Sequence, residues 1–70
     1  MNSELRNRIA ADIFVNSIKD LKMEYIYSQT REDAAQEGKE VGTYLAEQAI
    51  EMADGFMKVL NEQDNKRING

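Results

Sequence analysis

Apolar residues recur along the chain at three- and four-residue steps. Ala10, Phe14, Ile18, Leu21 and Tyr25 share one helical face, with Ile9 and Ile13 widening it on one side and Val15 and Ile26 beyond the other edge. The stretch DIFVNSI is therefore apolar around much of its circumference. A helix packed on a single neighbour needs only about 100° of apolar arc, so this one asks for two. Ser3 is positioned to cap it and Glu4 to meet its positive end.

A second periodic run follows. Ala35, Gly38, Val41, Gly42, Leu45, Ala46, Ala49, Met52, Ala53, Phe56, Val59 and Leu60 share one face, while Glu40, Glu47, Glu51, Asp54, Lys58 and Glu62 share the other. The phase carries across Gly38 and Gly42, which predicts one continuous helix despite a cost of up to about 1 kcal/mol for each interior glycine. Between the two runs, MEYIYSQTRED reads as the turn. Tyr25, Ile26 and Tyr27 favour extended backbone, and Thr30 with Asp33 resembles a capping box for which Ser28 is the rival cap.

These patterns predict an all-α fold. Its form is an antiparallel helical hairpin, with helices over about 4–26 and 31–61, pairing with a second copy into a four-helix bundle. The alternative is three helices with a break near Gly38–Gly42. Residues 1–62 form a single helical domain, and the polar tail 63–70, NEQDNKRING less its first two residues, is expected to fray.

Composition agrees with helix. The chain has 70 residues, no proline and only 4 glycines, so little punctuates it into strands and turns. It has no cysteine and no histidine, which removes disulfides, Cys/His zinc sites and imidazole or thiol catalysis. No apolar run approaches a membrane span or a signal peptide, so no membrane partner and a cytoplasmic location are expected.

The net charge of −4 is unevenly spread, at +1 over residues 1–22 and −7 over residues 23–65. Such a surface repels nucleic acid, and direct binding to it is not expected. The Glu47–Glu51–Asp54 ridge diverges along a solvent face and cannot converge on a metal or a proton-transfer site. Gly38-x-x-x-Gly42 matches a membrane-helix dimer spacing, but its flanks are charged. No catalytic, cofactor or metal residue is therefore expected, and the chain is not read as an enzyme.

The smallest residues of the second run lie where a helix would meet a neighbour closely. Phe14, Ile18, Leu21, Gly38, Gly42, Ala46, Ala49, Ala53 and Phe56 are thus the candidates for self-association, with a homodimer as the favoured assembly. Glu40, Glu47, Glu51 and Asp54 are candidates for a face that takes a protein partner, and Tyr25 and Tyr44 are further candidates for partner contact. The function expected is that of a small non-catalytic interaction or accessory protein. The alternative is an acidic mimic of nucleic acid that inhibits a nuclease or regulator.

RIAADIFVNSI and YLAEQAIEMADGFMKVLNE together resemble short helical accessory proteins of tailed phages and prophages. The residues that carry the resemblance are Leu45, Ala46, Ala49, Ala53 and Asp54. Gly55–Phe56 departs from the Ala-Met or Ala-Leu that usually follows the aspartate there. The resemblance implies an accessory role in a mobile element and brings no activity or ligand with it.

Overall fold

A computed structural model of the chain describes residues 3–69, with side chains as far as Lys66. The described residues are all-α, in three helices: α1 (Ser3–Asp20), α2 (Glu24–Gln36) and α3 (Val41–Asn69). The all-α reading therefore holds, and of the two forms considered the three-helix one describes the chain. The predicted boundaries at 26, 31 and 61 do not hold. A helix fills most of the predicted turn, and α3 extends through 63–69 of the tail expected to fray.

The first break comes without glycine or proline. Three successive amides tighten the end of α1 by donating to carbonyls three residues back, from Leu21 to Ile18, Lys22 to Lys19 and Met23 to Asp20. Lys19 in the last turn complements the negative end of the helix dipole. Helix α2 then starts after Met23, whose backbone is extended (φ −82°, ψ 119°) and whose side chain supplies no cap. Ser28 and Thr30, the expected caps, lie inside α2 instead. The reason is a helical period that the β-favouring residues obscure. Ile26, Thr30, Asp33 and Ala34 are the less exposed residues of α2 and share one face, and Ala34 is buried.

The second break is a glycine stop. Gly38 has φ +68°, the left-handed conformation that glycine adopts without a Cβ penalty. The Gly38 amide donates to Ala35 O and the Lys39 amide to Ala34 O, the paired bonds of a Schellman motif. Helical phase across Gly38 had predicted continuity, but phase records only direction around an axis. Gly38 ends α2, and α3 begins three residues later on a new axis.

Helix α1 packs chiefly on α3, and α2 touches α3 less extensively. The ion pair between Arg6 Nε and Asp54 Oδ1, at 3.6 Å, fixes the start of α1 beside the middle of α3. Among the described residues the buried apolar ones are Ala10, Ala34, Ala49, Ala53 and Met57, and no large side chain is fully enclosed. At 29 residues, α3 is about 43 Å long and outruns the 18-residue α1 by about 16 Å. The molecule is accordingly elongated, at 47 × 22 × 20 Å.

The two glycines four residues apart should respond oppositely to alanine. Gly38→Ala forces a side chain into the left-handed region and should cost about 1–2 kcal/mol. Gly42 lies in α3, a Cβ there meets nothing within 4 Å, and Gly42→Ala should stabilise by up to about 1 kcal/mol. Denaturant unfolding of both variants checks the signs.

Candidate functional site

The residues expected to mediate self-association divide into three groups. Ala49 and Ala53 are 2% and 0% exposed, so the middle of the small-residue row is filled within the chain, where α1 packs on α3. Ala46, Phe14 and Leu21 are half-buried. Gly38 and Gly42 are exposed and open, while Ile18 and Phe56 are large and exposed. The row is thus no single groove. Gly38 closes α2, and the alanines receive a helix of the same chain.

Large apolar side chains end up outside. On α1, Ala11, Val15 and Ile18 recur at helical spacing and are exposed, Val15 to 50%. On α3, Met52, Phe56 and Val59 form another strip, 59%, 53% and 54% exposed. At about 100° per residue, this strip lies roughly a quarter-turn from the row of buried Ala49, Ala53 and Met57 and half-buried Ala46 and Leu60. Periodicity had placed both sets, Met57 apart, on one broad face, and only packing divides it into a covered half and an open half. Met57 shows the same limit: the apolar face read from the sequence left it out, and among the described residues the structure makes it the largest buried apolar one.

The acidic face is partly neutralised by the chain itself. Arg6 pairs with Asp54, and Lys39 in the α2–α3 connection hydrogen-bonds Glu47 and also Glu37, the latter at 3.3 Å. Neither cation follows a helical spacing from its acid, so no periodic pattern announced them. Among the described residues Glu40 and Glu51 form no ion pair. No group of three acidic side chains among those residues is placed to hold a metal ion.

Tyr44 sits at the corner where α2 gives way to α3. Partial burial raises its phenol above the ordinary value, and the Asp33, Glu37 and Glu51 carboxylates add to the shift while Lys39 opposes it. Tyr25, the other tyrosine expected to anchor a partner, is 73% exposed near the start of α2. Beside Tyr25 runs an open depression lined by Glu24, Ser28, Gln29 and Glu32. Its walls come from α2 alone, and nothing converges in it.

The fold and these surfaces define a small three-helix protein with open apolar faces. No helix among the described residues is long and apolar enough to cross a membrane. No family model, no curated protein and no solved structure matches the chain. The resemblance to phage accessory proteins thus rests on its two helical segments alone.

Stability should fall on the alkaline side. Lys39, held protonated by its bonds to Glu47 and Glu37, and Tyr44 both bind their protons more tightly when folded. Their contribution is complete below the ordinary values of 10.5 and 10.0 and is lost as pH rises through the raised folded values. A spectroscopic titration of the folded chain minus that of Tyr44→Phe should isolate a phenol with a midpoint above 10.0.

Proposed function

We propose that this chain is a non-catalytic interaction protein that works as a self-associated assembly, the homodimer being the simplest form. One observation carries the reading: four alanines and Met57 form the core while Val15, Ile18, Met52, Phe56 and Val59 stand at least 45% exposed. A protein that functions alone gains most by burying its large apolar groups, each worth about 1.5–3 kcal/mol when fully covered. Here that stabilisation is left for an encounter with another surface.

Chain dimensions support the same reading. A folded monomer of 8.0 kDa is expected to expose about 4,450 Å2, against 5545 Å2 for this chain. Its radius of gyration is 15.0 Å, where a compact domain of 70 residues has about 11 Å. The excess surface, about 1,100 Å2, exceeds the roughly 800 Å2 that each partner contributes to a standard interface.

A protein partner is the second element of the proposal, and the acidic side of α3 is its landing face. The internal pairs of Asp54 and Glu47 leave Glu51, with Glu40 at the head of α3, as the stronger contributors. Those pairs also weaken the mimicry of nucleic acid, which needs an uncompensated row of negative charge.

Absolute mass across a dilution series, with helicity followed in parallel, tests the assembly. The expected result is a dimer whose helicity falls as it dissociates. A helical monomer at every concentration would falsify the assembly reading.

A further inference from the structure

We infer that α2 is a conditional helix, which melts and re-forms as a unit of its own while α1 and α3 stay packed together. Lys39 is the clamp that favours its formed state. This device lies within the single chain and operates whether or not that chain associates.

Among the described residues, every close backbone approach between positions at least twelve apart in sequence joins α1 to α3. Helix α2 makes no such approach and meets α3 only around the corner between them. It is held at its ends rather than along its length. At one end the chain turns through Lys22 and the extended Met23, and at the other through Gly38 in the left-handed conformation. Loss of α2 therefore removes none of the contacts between α1 and α3.

A helix of 13 residues without support along its length is marginal in water. The sequence of this one weakens it further. Tyr25, Ile26, Tyr27, Ser28 and Thr30 crowd its first half, and each forms helix less readily than alanine or leucine. Met23 offers no side-chain cap to the unpaired amides of the first turn. Ala34 is the only buried residue of α2, and an alanine withdraws little apolar area from water.

What keeps α2 formed is local. Gln29 Nε2 donates to Asp33 Oδ1 at 3.1 Å, and the Gly38 and Lys39 amides close the last turn. The Lys39 ammonium then joins Glu37, at the end of α2, to Glu47 of α3. These side-chain bonds are exposed, and such bonds are individually weak. The α1 and α3 helices, in contrast, carry Ala10, Ala49, Ala53 and Met57, four of the five buried apolar residues. A chain supported so unevenly opens by parts, the least supported first.

Hydrogen exchange of the full chain, resolved to single amides, is the test. Interior amides of α2, at residues 31–36, should exchange faster than those of Phe14, Ala49 and Ala53 by on the order of 10-fold or more. Lys39→Met keeps the length of the side chain but removes its bonds to Glu37 and Glu47. It should speed the α2 amides further and leave Ala49 and Ala53 unchanged. Ser28→Pro breaks α2 from within and should abolish its protection, while the amides of α1 and α3 keep theirs. Native α2 amides that exchange as slowly as Ala49 and Ala53 overturn the conditional helix. So does a Ser28→Pro chain in which Ala49 and Ala53 lose protection together with α2. Unaltered α2 exchange in Lys39→Met overturns the clamp.

Discussion

Close approach of α1 to α3 along a row of alanines is the constraint on which the molecule depends. A row with Ala49 and Ala53 at its centre admits a neighbouring helix nearer than leucines would, and Ala10 answers from α1. Tight packing of small groups brings many atoms into contact but removes little apolar area from water. Apart from Met57, the larger side chains are not buried and line the flanks of the contact. Their exposure and the elongated shape are two results of the same choice of residues.

Two local devices hold that arrangement. The Schellman motif at Gly38 stops α2 and redirects the chain, so that α3 can start again where Lys39 reaches Glu47. At the other contact, Arg6 ties the beginning of α1 to Asp54. Both pairs are exposed, and exposed pairs stabilise little. Their value is geometric: Arg6–Asp54 joins segments far apart in sequence, and Lys39–Glu47 bridges the α2–α3 connection to α3. They also use two carboxylates of the face that would otherwise be uniformly acidic, so the electrostatics of that face follow from the tertiary fold.

Helix content was legible because composition and periodicity are local properties. The break after α2 was harder to read. The residues of 41–60 keep the phase of 35–38, and that coincidence masked a glycine in the position where helices stop. Tyr25, Ile26 and Tyr27 gave α2 an extended appearance, although Ile26, Thr30 and Ala34 already carried a four-residue step. The candidate surface was half legible. Periodicity found the apolar side of α3, but which arc α1 covers depends on where α1 lies, and no local pattern encodes that. The partners of Lys39 and Arg6 were hidden for the same reason.

The central claim is that this chain completes its folded structure by associating. Thermal unfolding followed by helicity over a wide range of protein concentration tests it most directly, because association stabilises the folded state by mass action. The midpoint should rise steadily with concentration. A cooperative transition with the same midpoint at every concentration would contradict the claim, and would mean that the alanine-packed monomer is stable with its large apolar residues in water.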